Sequence, residues 1–218
     1  MISEHSPVAA LPLAPASSGA GSSTTQATSS PKTVDIEAAE LAVASLLRAF
    51  GHNPQSEQFA LTPQRVVQNL RELTAATPLR LSLFDNPGDY DEPVVMRDIS
   101  FVSVCEHHML PFRGVAHVGY APQAQIVGLS ALAQVVEHFA QDFQLQERLT
   151  TQIADYLAEQ LGSRGVGVTI AAEHTCVSTR GVRAHGTSAV TQAFRGDLAT
   201  DSGFRGLFGI TASERRRP

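Results

Sequence analysis

The sequence predicts a mixed α+β domain built on an antiparallel sheet. Alternating apolar residues mark strands at 94–104 and 115–120. Two stretches of helical period follow, at about 128–140 and 145–161. Alternation then returns at 166–176 and 187–195. The core reads β-β-α-α-β-β: two hairpins around a helical pair, giving a four-stranded antiparallel sheet with helices on one side. The length, 218 residues, and the apolar fraction, 43%, suit one domain with appendages.

Residues 1–33 are rich in Ser, Ala, Thr, Pro and Gly and bury too little apolar surface to offset ordering entropy, so a disordered tail is expected. From 34 to 50, Ile36, Ala39, Val43, Leu46 and Leu47 share a helical face, and Gly51 stops the helix. Thr62-Pro63 opens a second helix, running to about Thr74. Three prolines and little periodicity make 75–93 a loop. The 94–104 strand delivers Cys105, and the chain must turn through His107-His108-Met109-Leu110-Pro111 before the next strand. Ser130 is the expected N-cap of the third helix. Gly162 ends the fourth. Val166, Val168, Ile170, Ala172, His174 and Cys176 then occupy alternate positions, which puts His174 and Cys176 on one face of one strand. The organisation is a tail (1–33), a helical region with its loop (34–93), the main domain (94–198) and a C-terminal tail (199–218). Four strands leave two open edges, which association into a ring would cover.

A net charge of −5 gives no bulk electrostatic support for nucleic-acid or membrane binding. No apolar run approaches the roughly 20 residues of a membrane span. No basic stretch precedes Leu11-Pro12-Leu13, so no secretory signal is expected and the chain is assigned to the reducing cytoplasm.

Chemistry concentrates around the two cysteines. Cys105 has His108 three residues on, and Cys176 has His174 two residues before it. Two thiolates and one imidazole close on one zinc ion if the fold unites the clusters, and three protein ligands leave a fourth position for water. The alternatives are two buried core cysteines or a disulfide. A site poor in positive charge benefits from a nearby proton acceptor; His107 and His174 are either that or hydrogen-bonded structural residues. Glu106 is either a group supporting the metal turn or a solvated turn residue. Arg180 and Arg183 either hold anionic oxygens or form a solvated basic loop. His52, His117, His138 and His185 are read as surface or packing residues.

Cys-Glu-His-His with Leu-Pro-Phe, Gly-Leu-Ser at a helix start, Gln146-Glu147-Arg148-Leu149-Thr150, His174-Thr-Cys176 and Arg180-Gly181-Val182-Arg183 follow one another in this order. Together they resemble the GTP cyclohydrolase I family, from about Thr62 to about Gly196. The resemblance implies the tunnelling fold, with sheets of neighbouring subunits joined into a barrel. It further implies a toroidal homodecamer with active sites at subunit interfaces. It gives zinc to Cys105, His108 and Cys176, and proton transfers to His107 and His174. Glu147, with Gln146 beside it, would recognise the guanine edge. Ser130, Arg180 and Arg183 would meet the ribose-phosphate end. The reaction implied is hydrolysis of the imidazole ring of GTP at C8, giving formate and 7,8-dihydroneopterin triphosphate, the first pterin of folate-type biosynthesis, with no organic cofactor.

The chain also departs from that pattern. Ala131 and Gln134 stand where the family usually has a lysine and an arginine for the triphosphate, and Gln141-Asp142 replaces a basic pair. Two lost charged contacts at roughly 1.5–3 kcal/mol each weaken the grip unless Arg180, Arg183 or Arg65 compensates. Two other functions fit the same residues. One is a paralogue acting on another guanine nucleotide or related purine. The other is a zinc-stabilised oligomeric nucleotide-binding protein without turnover, against which the presence of both His107 and His174 argues.

Overall fold

The computed structural model describes residues 33–86 and 88–209. In chain order the elements are α1 (Ile36–Ala49), α2 (Thr62–Thr74), β1 (Leu83–Asp85), β2 (Val94–Cys105), β3 (Pro111–Ala121), β4 (Gln125–Val127) and α3 (Leu129–Ala140). They continue with β5 (Phe143–Gln144), α4 (Gln146–Leu161), β6 (Gly165–His174), α5 (Thr175–Ser178), β7 (Ala189–Gly196) and α6 (Ser202–Gly206), the last two joined by a 3-10 turn, Asp197–Thr200. The expected disordered tail falls, but for Thr33, outside the described residues, as does the basic chain end.

The expected antiparallel hairpins form, β2 with β3 and β6 with β7, and β3 pairs with β6 between them. The sheet has five strands rather than four, in the order β5-β2-β3-β6-β7. The addition, β5, is two residues long and lies parallel to the end of β2, Val104 opposite Phe143 and Cys105 opposite Gln144. A two-residue strand has no readable alternation. The same holds for β1, inside the expected loop, which pairs with β4 in a separate two-stranded ladder.

Alternation decides what each face of the sheet meets. Phe112, Ala116, Val118 and Tyr120 of β3, with Val166, Val168 and Ile170 of β6, point toward the helices. There they pack against Leu132, Val135 and Val136 of α3 and Leu149, Ile153 and Leu157 of α4. In β2 the inward set changes parity, from Val94 and Met96 to Ile99, Phe101 and Cys105. A register shift between Met96 and Ile99, with Asp98 at φ 56°, accomplishes this. One extra residue in a strand sends every later side chain to the opposite face.

The other face of the sheet receives the C-terminal segment. Residues from 199 onward, assigned from sequence to a tail, include α6, and Phe204 and Phe208 are buried against Ala121, Val95 and Phe194. Gly167 makes the room: a Cβ there would lie 2.4 Å from the Phe208 ring. Arg97 fastens the segment by donating to the carbonyls of Leu207 and Gly209, both at 2.9 Å.

Two further expectations change. The cap of α3 is Gly128, extended at ψ 137°, so Ser130 lies inside the first turn and makes no capping bond. The last strand before Cys176 ends at His174, and Cys176 lies in the short helix α5. The ladder between β3 and β6 stops at Phe112 opposite His174, because the next residue of β3, Pro111, has no N–H to continue it. Thr175 Oγ1 donates to the Pro111 carbonyl at 2.6 Å and turns the chain out of the sheet.

Candidate metal and active site

Cys105 leaves β2 into a tight turn. Its N–H donates to Leu110 O at 2.9 Å, and its carbonyl accepts from Met109 N at 2.9 Å. Met109 takes φ 55°, a left-handed turn conformation. That closure brings His108 back over Cys105, with Sγ and Nδ1 3.7 Å apart. Cys176 arrives from α5. One ligand atom from each of Cys105, His108 and Cys176 falls within 4.8 Å of the others. Cys105 is buried, Cys176 half-buried and His108 exposed, so the group is rooted in the sheet and open on one side. Burial and the adjacent Cys105 thiol raise the pKa of Cys176, an effect that Arg180 partly opposes. Two close thiols suit a cation, which relieves the repulsion between their ionised forms.

His174 lies beside this group at the end of β6, on the helix-facing side that period two assigns it. Its ring stacks on Phe112 with centroids 4.6 Å apart and planes 4° from parallel. Nε2 lies 2.8 Å from Gln146 Oε1. The carboxamide of Gln146 settles which atom carries the proton. Its Nε2 faces two carbonyls, Ile170 O at 3.2 Å and Ala189 O at 3.0 Å, as well as Thr191 Oγ1 at 3.1 Å. Carbonyls only accept, so the NH2 must be on that side and Oε1 must face the imidazole. His174 therefore donates from Nε2 and, when neutral, keeps a lone pair on Nδ1. Burial lowers the His174 pKa, with Glu147 pulling it back up, so the neutral form dominates at neutral pH.

Gln146, expected beside the guanine, is thus buried with its carboxamide occupied. Replacing it with leucine leaves the His174 N–H without its acceptor and removes a donor from the Ile170 and Ala189 carbonyls. At roughly 1–3 kcal/mol per unsatisfied buried group, Gln146→Leu is expected to lose at least ~1 kcal/mol of stability in urea titration. A loss under ~0.5 kcal/mol contradicts this assignment.

The remaining expected site residues lie on several elements, and Glu147 and Arg180 are the two whose charges act on this centre. Glu147 opens α4, is exposed and is near enough to His174 to act on its charge. Arg180 acts likewise on Cys176. His107 is exposed, its ring perpendicular to that of His108 at 88°, with centroids 6.1 Å apart. Ser130 is exposed on the first turn of α3, and Arg183 is exposed in the loop after α5 at φ 50°. Ala131 is packed into the core and Gln134 is exposed. Sequence reasoning missed the linkage of Gln146 to His174, which spans 28 residues and depends on where β6 ends. The one available signal was the adjacency of Gln146 to Glu147.

Fold and site together define an α+β protein with a Cys-His-Cys group able to hold a metal beside a tautomer-fixed histidine. The GTP cyclohydrolase I family profile matches residues 39–209. Proteins named GTP cyclohydrolase 1 are similar over most of the chain. That of Aquifex aeolicus is 44% identical over 168 residues, covering 77% of this chain and 91% of that protein. That of Carboxydothermus hydrogenoformans is 45% identical over 177 residues, covering 77% and 89%. That of Rhodopirellula baltica is 42% identical over 177 residues, covering 77% and 75%. The chain belongs to the GTP cyclohydrolase I family, a family of hydrolases.

Proposed function

We propose that this chain is a zinc-dependent GTP cyclohydrolase I, converting GTP into formate and 7,8-dihydroneopterin triphosphate. The observation that carries this reading is the meeting of the Cys105–His108–Cys176 group with His174. Zinc fits these donors. With Zn–S of about 2.3 Å and Zn–N of about 2.0 Å, a tetrahedral S···N edge is about 3.5 Å, close to the 3.7 Å between Cys105 Sγ and His108 Nδ1. Zinc held there lowers the pKa of a water that would otherwise be a weak nucleophile.

The other roles follow from this chain's own groups. Neutral His174 takes a proton at Nδ1, while its Nε2–H, held by Gln146, keeps the ring oriented. His107, exposed on the metal turn, is the second proton carrier. Glu147 accepts from the two adjacent guanine donors, the ring N–H and the exocyclic amine. Ser130, Arg180 and Arg183 meet the ribose and phosphates. Hydrolysis at C8 opens the imidazole ring to a formamide, and a second hydrolysis releases formate. The ribose then opens, rearranges to a ketose and closes on the freed amine.

The same reading includes the tunnelling fold, a ring-shaped homodecamer with sites at subunit interfaces, folate-type pterin supply and a cytoplasmic location. Open sheet edges support assembly: Val190 on the edge strand β7 is exposed. So does α1, which buries no residue and exposes Leu41 and Leu46, with Phe50 exposed just beyond it. Among the described residues no helix is long and apolar enough to cross a membrane.

Because the Cys176 pKa is raised, zinc must expel a proton to bind there. Zinc titration in weak buffer at neutral pH is expected to release protons, and apparent affinity to rise with pH as the thiol yields to thiolate. Affinity independent of pH contradicts thiolate ligation.

A second reading rests on Ala131 and Gln134: they bring no charge to the expected phosphate end, which favours a guanine nucleotide with fewer phosphates. Formate release from GTP, GDP and GMP at equal low concentration separates the two. Preference for GTP supports the first reading, and preference for GDP or GMP the second.

A further inference from the structure

The turn that carries Cys105, His107 and His108 is tied to the rest of the molecule through Glu106. Its N–H donates to Gln144 O on β5 at 3.1 Å. Its carboxylate meets Arg148 Nη2 at 2.5 Å. Arg148 has two other bonds at the same time: Nη2 to Phe143 O at 2.8 Å and Nε to Gln144 Oε1 at 3.0 Å. The Gln144 amide in turn donates to Phe139 O and to Gln152 Oε1, both at 2.8 Å. One guanidinium therefore joins α4, β5 and the metal turn. It sits on the same helical turn as Gln146, which orients His174, and Glu147.

We propose that Glu106 and Arg148 are positioning residues: their pair sets the metal turn against the start of α4, holding the metal ligands and His107 at a fixed offset from Glu147 and His174. The proposal rests on the zinc-dependent reading above. The ion pair is partly exposed, Arg148 at 41% and Glu106 at 31%, which is the setting in which ion pairs contribute little to stability. Its service is geometric. A planar fork fixes three acceptors in one plane, which a lysine ammonium does not do. If the geometry is shared, losing either partner has the same consequence as losing both.

The test compares wild type, Glu106→Gln, Arg148→Gln, the double variant and Cys105→Ala. Co2+ affinity, the Co2+ visible spectrum, thermal midpoint and formate release are read for each. Each single variant is expected to keep its thermal midpoint within a few degrees, weaken Co2+ binding by about tenfold or more, change the visible spectrum and lower kcat more than it raises KM. The double variant is expected to match the worse single. Wild-type Co2+ affinity and spectrum in folded Arg148→Gln overturn the proposal, as do strictly additive effects in the double variant. If Arg148→Gln does not fold, Glu106→Gln decides alone, being isosteric and in a partly exposed turn. Cys105→Ala separates the two levels. Retention of wild-type Co2+ affinity there defeats the metal reading itself, whereas its loss alongside unaltered Glu106→Gln and Arg148→Gln defeats the positioning role only.

Discussion

Cys176→Ala is expected to abolish stoichiometric zinc binding and, with it, formate release from GTP. The loss should exceed the roughly 10–100-fold that removal of an outer-shell partner costs, because two ligands remain where three are needed. The fold should survive. Cys176 lies in α5, after the ladder of β6 has ended, and is only half-buried. The sheet core is formed without it, so the far-UV circular dichroism spectrum should match wild type. Metal analysis after gel filtration checks the claim. Full zinc occupancy in folded Cys176→Ala would show that Cys176 is not a ligand and that other residues hold the metal.

His174→Gln is expected to keep zinc yet lose about 10²–10⁴-fold in kcat, the usual worth of a positioned general base. Glutamine retains much of the bulk that packs on Phe112 and can still donate to Gln146 Oε1, so the surrounding structure has little reason to rearrange. It lacks a nitrogen lone pair to replace Nδ1. Metal content and kcat measured on the same sample separate chemistry from ligation. A kcat within tenfold of wild type at full zinc occupancy contradicts the catalytic role. Loss of zinc together with activity would instead make His174 a support for the metal group.

The grouping of Cys105, His108 and Cys176 was legible because cysteine is scarce here: two cysteines, each near a histidine, leave few pairings. The six main elements of the sheet and its packed helices were legible because each is long enough to show its period. What stayed hidden depends on contacts distant in sequence or on elements too short to alternate. The bulge at Asp98 reverses the inward face of β2 without any composition signal. Proline at 111 ends a ladder whose partner lies 62 residues later, and so moves Cys176 from a strand into a helix. Phe204 and Phe208 stand in a glycine-containing stretch that reads as tail; Gly165 and Gly167, on β6, leave the room where their rings lodge. The resemblance set Gln146 beside Glu147 at the guanine edge, and nothing in that adjacency shows its hydrogen bond to His174. Consecutive residues of a helix point about 100° apart, and here Gln146 turns inward to His174 while Glu147 faces out.

Zinc-loaded protein given GTP labelled with carbon-13 at C8 tests the central claim most directly, followed by carbon-13 NMR with pterin quantified in the same sample. The account predicts labelled formate and 7,8-dihydroneopterin triphosphate in equal amounts, with no signal from metal-stripped protein. Label that stays in an intact purine, while the zinc-loaded protein binds GTP tightly, would contradict it and make this chain a nucleotide-binding protein without turnover.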